Sequence, residues 1–523
     1  MGDRKVGHHA NLLIDRSRQA RERDAADPDV GFAGMEVTTE SEGFDPDSHF
    51  LFWKPGSLPY EEPHGMAWTI DRRTDLVLNM HLRPSGKPEK VQPQIGLYFT
   101  DTPPTRHPML LQLEHDGALD IPAGAQGFSV ADELTLPVDV DVLAAYPHAH
   151  YLGKAMQGLA VLPDGRRTEL VRIEDWDVNW QGVFRFVRPV FLPKGTKISM
   201  GWSYDNSEGN VRNPSHPPKR VRSGNRAEDE MGHLWLQVLP RDGLPGDPRI
   251  ALQEAVMRRR IEKYPADFSA HYNLGAALQA EGKIDLALIE IRAALKLDPG
   301  RATAHNTLGA ALHARGDTEA AAAEFTEVLR LRPQDANARY NLGQIRLAQD
   351  RRDEAAALFR EVLDLQPDDA NAHAQLGAIL ESAGQSEQAI PHLREALRLD
   401  PDQQNARSNL GLALLARGDG AAAAATFREI LVRAPDDADA HDALAQILFA
   451  RGENDEALRH FREVARLRPR DADACNNLGS ALAAEGLMAE AIAQFERALV
   501  LDPKHAAARA NLDRAKGALP SRR

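Results

Sequence analysis

The chain has 523 residues, more than one hydrophobic core usually supports, so several domains are expected. Its 42% hydrophobic and 27% charged content is ordinary for a soluble protein, and a net charge of -14 with no basic block argues against nucleic acid or an anionic membrane surface as the main partner. No apolar run reaches the roughly 18 residues that would span a bilayer, the opening MGDRKVGHHANLLID has no apolar signal-type core, and the single Cys475 rules out an internal disulfide.

From the N-terminus to about residue 245 the sequence reads as β-rich. All six tryptophans lie in this part. Short apolar or alternating runs at Leu76–Asn79, Ile95–Phe99, Val142–Ala145, Gly182–Val187 and Lys197–Trp202 are predicted strands. Turn signals such as Pro122-Ala123-Gly124, Pro163-Asp164-Gly165 and Pro193-Lys194-Gly195 separate them, which predicts antiparallel sandwiches. Eleven histidines fall here. In His148-Ala149-His150, residues two apart on a strand point to one face, so both imidazoles can reach one metal. Taken alone, a pair of surface histidines is the commoner meaning of such a motif. His8-His9 needs an irregular backbone before both rings can converge. Met231, in Glu228-Asp229-Glu230-Met231, offers a thioether that favours Cu(I) over zinc, although a lone methionine is ordinarily core.

The segments HHANLLID, LVLNMHLRPSGK, HAHYLGK, YDNSEGNVRNPSHPP and AEDEMGHLWLQV occur in this order over about residues 6–240. Together they resemble the copper type II, ascorbate-dependent monooxygenases, the family of peptidylglycine α-hydroxylating monooxygenase and dopamine β-monooxygenase. The likeness is to bacterial members that carry C-terminal repeats. It implies two adjacent all-β sandwiches with one copper each: the first on His8, His9 and His81, the second on His148, His150 and Met231. It implies O2 and a reductant such as ascorbate as co-substrates, with hydroxylation of a C–H bond in a small organic molecule. Relatives carry a longer stretch before the paired histidines. Only seven residues precede His8 here, so the first sandwich is expected to be N-terminally incomplete, with periplasmic or secreted placement if the true start lies upstream. Where the peptide-amidating branch has an arginine, this chain has Tyr146; where that branch has an amide and a tyrosine, this chain has His233 and Trp235. A glycine-extended peptide is therefore not the expected substrate. His233 reads equally as a second layer of the site or as a solvent-facing residue. His64, His107, His115 and His216 read as ordinary loop or strand residues.

From Pro265 the text repeats every 34 residues, with prolines at 265, 299, 333, 367, 401, 435, 469 and 503. Nine residues after each of the first seven stands a leucine (Leu274 to Leu478), followed by glycine or, once, Ala445. An alanine and, four residues on, a bulky apolar group complete each unit, as in Ala321 with Phe325. This resembles the tetratricopeptide pattern: seven helix–turn–helix units that build one continuous core by stacking, then a capping helix. Pro391 sits inside a predicted helix, where it removes a backbone bond. His271, His305, His373 and His441 share one repeat position, which Arg339, Arg407 and Cys475 occupy elsewhere, so they read as a packing position and not a ligand set.

The expected architecture is multidomain: residues 1–102 and 103–245 as the two sandwich domains, 246–264 as a linker helix, and 265–523 as the all-α solenoid. The expected function is a copper monooxygenase with a protein- or peptide-binding arm. A non-enzymatic repeat scaffold with an inactive front, and a copper-binding protein without turnover, are the alternatives. No nucleic-acid partner is expected.

Overall fold

The computed structural model describes residues 95–224, 226, 228–241 and 247–518. Before them it describes the strands at 7–15, 51–53 and 75–82 and residues 21, 25, 65–67, 69, 70 and 74. Compactness divides the chain into two units, 1–321 and 322–523.

In the first unit, β1 (Gly7–Asp15), β2 (Leu51–Trp53) and β3 (Asp75–Leu82) form a three-stranded antiparallel sheet in the order β2-β1-β3. The following strands are β4 (Met109–Glu114), β5 (Asp120–Ile121), β6 (Gln126–Thr135), β7 (Val140–Ala149), β8 (Gly153–Val161), β9 (Arg167–Ile173), β10 (Phe184–Leu192), β11 (Lys197–Asp205), β12 (Val221–Arg222) and β13 (Gly232–Pro240). They build two four-stranded antiparallel sheets, β10-β7-β13-β4 and β6-β11-β8-β9, with β12 pairing β5. Period-two alternation explains the layering. β11 reads exposed or half-buried at odd positions and buried at Ile198, Met200, Trp202 and Tyr204. The sheets come together closely at Gly158, where a Cβ would lie 2.8 Å from Leu234 Cδ2. The Trp202 indole N–H ties β11 to β13 by donating to the His233 carbonyl at 3.2 Å.

The predicted strand at Ile95–Phe99 is not one. The segment has no ladder partner among the described residues, and Tyr98 and Phe99 are exposed. The other four runs lie in β3, β7, β10 and β11, although β10 starts two residues after Gly182.

Sixteen helices follow among the described residues: α1 (Pro248–Lys263), fourteen that form the seven predicted pairs, from Phe268–Ala280 to Met488–Leu501, and the cap Ala506–Ala518. Aspartate N-caps start many of the first helices of a pair. Asp335, Asp369 and Asp437 each accept the N–H three residues on at 2.9 Å. The small residue after the leucine lets helices touch: a Cβ on Gly411 would lie 2.7 Å from the Phe427 ring, and one on Gly479 would lie 2.6 Å from Phe495. The helix Ser386–Leu399 runs through Pro391.

The shared histidine position has a physical reason. His271, His305, His373 and His441 each place Nε2 at 2.9–3.1 Å from the carbonyl of the repeat proline six residues earlier. Arg339 and Arg407 donate to Pro333 and Pro401 from the same position. Cys475 offers no comparable donor, and there Arg497 reaches the Pro469 carbonyl at 2.9 Å instead. The repeat proline lies just past a helix end, where its own carbonyl has no partner in the i→i−4 ladder, and this side-chain donor supplies one.

Candidate metal centre

β7 and β13 pair so that His148 faces His233 and Tyr146 faces Trp235 across the ladder. Tyr146 and His148 share a sheet face by alternation, and His150 follows just past the strand end. The His148 and His150 ring centroids are 5.4 Å apart with the planes at 89°. The Tyr146 ring lies nearly parallel to His148, at 6.1 Å and 25°.

Both histidines are anchored through Nδ1. His148 Nδ1 lies 2.6 Å from the Gln181 side-chain oxygen, and His150 Nδ1 lies 2.9 Å from the Asp229 carbonyl. With carbonyl-type acceptors at Nδ1, a neutral ring carries its proton there. Metal-binding imidazoles are held in this way. Burial pushes the His150 pKa down, which favours the neutral, ligating form, although the Asp229 carbonyl opposes the shift.

Glu230 links the histidine pair to Met231. Its fully buried carboxylate accepts the backbone N–H groups of His150, Leu152 at 2.8 Å and Met231 at 2.9 Å. One side chain therefore staples the end of β7 to the segment that carries the methionine. Burial raises its carboxyl to about 7 despite these backbone donors. Tyr204 closes the other side by donating to the Met231 carbonyl at 3.0 Å. The hydroxyl passes so close that a Cβ on Gly232 would lie 2.1 Å from it, so this position requires glycine.

Among the described residues, no three His, Cys, Asp or Glu side chains converge as a metal-binding group. The backbone of Met231 is tied to the end of β7 through Glu230, which bonds both the His150 and the Met231 N–H. Two neutral imidazoles with a thioether are a donor set that suits copper.

His233 is not the solvent-facing residue that was one of its two readings. It is buried, with Nε2 at 2.8 Å from Asp116 Oδ2 and Nδ1 at 3.5 Å from the Gln112 amide nitrogen. Burial by itself would lower its pKa, but the Asp116 carboxylate outweighs it and the net shift is upward. Both ring nitrogens are engaged, so His233 stands beside the pair, 6.0 Å from His148 between ring centroids, without a free donor for a metal. The second Asp116 oxygen, Oδ1, is buried with no hydrogen-bond partner among the described residues.

For the other predicted site, β1 and β3 place His9 directly opposite His81, with a register shift between Gly7 and His9. A bulge at that point is the irregular backbone an adjacent histidine pair needs. The side chains of His8, His9 and His81 lie outside the described residues, as does His64. Sequence reasoning missed Gln181, Glu230 and Asp116 as supports. Only Glu230, next to Met231, carried a local signal; Gln181 is 33 residues from His148.

Residues 246–302, 312–379, 380–447 and 443–506 match tetratricopeptide repeat models. The N-terminal β-sheet region has no family assignment, and no curated protein matches the chain. A tetratricopeptide repeat protein from Parabacteroides merdae is 15% identical over 48% of this chain and 98% of its own, with a TM-score of 0.35. The Cut9–Hcn1 hetero-tetramer structure of APC/C gives 16% identity over 51% and 52%, TM-score 0.35. YrrB, a repeat protein described as having an unusual peptide-binding site, gives 21% over 42% and 96%, TM-score 0.26.

Proposed function

We propose that this chain, whose C-terminal part is a tetratricopeptide protein-binding region, is a scaffold that carries a copper centre in its N-terminal sandwich. The repeats are the function with family support. Stacked helix pairs leave an extended surface of the kind that takes a protein or peptide segment.

The copper reading is carried by one observation: His148 and His150 are both anchored at Nδ1, at the point where Glu230 brings in Met231. Copper held there would supply O2 reduction and C–H hydroxylation, with electrons from ascorbate or a similar reductant. The protein's own task would be to orient the two imidazoles and line the site with Tyr146 and Trp235. That lining suits an apolar or aromatic part of a small organic substrate.

The test is copper content of the desalted full chain beside His148→Ala, with ascorbate-dependent O2 uptake measured on both. Loss of one copper equivalent in the variant supports the centre, and O2 uptake lost with it supports the monooxygenase. No copper in the unmodified chain would leave the scaffold alone. Bound copper without O2 uptake would leave a copper-binding scaffold.

A further inference from the structure

We infer that α1, the helix leading into the repeats, is a positioning element of the His148/His150 centre and acts through the turn that carries Asp116. The inference rests on the copper reading above for its function but on separate residues for its geometry.

The connection starts at the C-terminal end of α1. Lys263 Nζ lies 3.0 Å from Glu114 Oε1 and 2.8 Å from Asp132 Oδ2, and all three side chains are almost fully buried. Tyr264, the next residue, donates its hydroxyl to Glu114 Oε2 at 2.8 Å and accepts the Gly117 N–H at 2.9 Å. The same Glu114 oxygen accepts the Asp116 N–H at 2.9 Å. Glu114 and the turn Asp116–Ala118 are thus fastened to α1 from both sides.

The fit is close as well as polar. A Cβ on Gly117 would lie 2.7 Å from Tyr264 Cε1, so the ring packs directly on the turn and only glycine admits it. This contact is independent of the charge network and converges on the same three residues.

Beyond the turn, Asp116 Oδ2 fixes His233 Nε2, and His233 is the cross-strand neighbour of His148. Asp116 has no other side-chain anchor among the described residues, since Oδ1 is unpartnered. Its place is therefore set by the turn, and the turn's place by Tyr264 and Lys263. Supports one layer behind metal ligands are what hold ligand geometry. By sequence α1 falls inside a matched repeat segment, yet its last turn is built into the sandwich.

The experiment uses the copper-loaded full chain, comparing Gly117→Val with His271→Gln. The latter removes a histidine from the first repeat pair without touching the turn. We expect Gly117→Val to weaken copper binding by about tenfold or more and to change the Cu(II) electron paramagnetic resonance signal. Tyr264→Phe should change both in the same direction, and His271→Gln should change neither. Copper affinity and signal unchanged in Gly117→Val would overturn the inference while leaving the copper reading intact. If the unmodified chain takes no copper, that reading fails by itself. The ring ¹⁵N shifts of His148 in metal-free protein then decide the positioning: shifts altered by Gly117→Val support it, and unaltered shifts overturn it.

Discussion

The His-x-His pair of the sandwich and the histidines of one repeat position are anchored by opposite ring nitrogens. His148 and His150 give Nδ1 to an acceptor, the Gln181 side-chain oxygen and the Asp229 carbonyl. His271, His305, His373 and His441 give Nε2 to a proline carbonyl and turn Nδ1 toward the neighbouring helix where its partner is described. What Nδ1 then meets decides the role. For His271 it is Glu290 at 2.7 Å; for His373 and His441 it is the Nδ1 of His392 and His460, at 2.9 and 2.8 Å. His271, His373 and His441 are thus bonded at both nitrogens and act as struts. The residue type is the same, and the backbone around it makes one set candidate ligands and the other structural.

The largest expected effect that sharpens this contrast is at Glu230. Glu230→Ala leaves several buried N–H groups without an acceptor and should destabilise the sandwich by about 3 kcal/mol or more, read as a shift in denaturant midpoint. The repeats, which depend on no such staple, should keep their own transition. A single unchanged transition would break the comparison.

Acid should also separate the regions. Burial alone would raise the Glu114 pKa, but Lys263, the Asp116 N–H, the Tyr264 hydroxyl and Arg260 bring it from 4.5 down to about 2. A depressed carboxyl stabilises the fold above its unfolded value and loses that contribution as pH falls through the folded one. On the order of 3 kcal/mol should therefore vanish from the first unit between about pH 4.5 and 2. Lys263→Met should remove most of that pH dependence in denaturation measured across this window.

The repeats should respond at milder acidity. Burial, and then the facing histidine, lowers the pKa of His392 and His460; Arg360 adds to this at His392, and Arg459 and Arg428 at His460, where Glu456 opposes. The unfolded chain therefore takes up protons first, so stability is full above the ordinary histidine value of 6.5 and declines as pH falls below it. Replacing both by glutamine should flatten the melting temperature of the second unit against pH in this range. An unchanged slope would show that the facing pairs do not sense pH.

The smallest expected effect is at Asp350, which holds φ at 57° where other repeats use glycine in the left-handed region, such as Gly384 and Gly418. Asp350→Gly should leave the second unit equally or more stable, by at most about 1 kcal/mol, measured by denaturant midpoint. Destabilisation would mean that the aspartate's ion pair with Arg352 outweighs its backbone cost.

The repeat architecture was legible because it is periodic. Each unit carries its own leucine, small residue and bulky apolar residue, and stacking contacts lie between near neighbours in sequence. The shared position of His373 and Arg407 was equally visible, but its purpose was not. A carbonyl six residues back becomes an acceptor only once the helix has formed.

The sandwich was legible as strands, turns and a His-x-His pair, because period-two alternation is local. The structure alone decided what surrounds that pair. Gln181, Asp229 and Glu230 reach it across 33, 79 and 80 residues, and Asp116 reaches the neighbouring His233 across 117, through ladder register and sheet packing. The sequence by itself therefore determined the two kinds of architecture and which residues could carry chemistry. Tertiary structure decided which nitrogen each imidazole presents, that His233 is engaged at both nitrogens, and that the first helix after the sheets is pinned to the sandwich. Those depend on which distant groups share a buried space, and no local spacing encodes that.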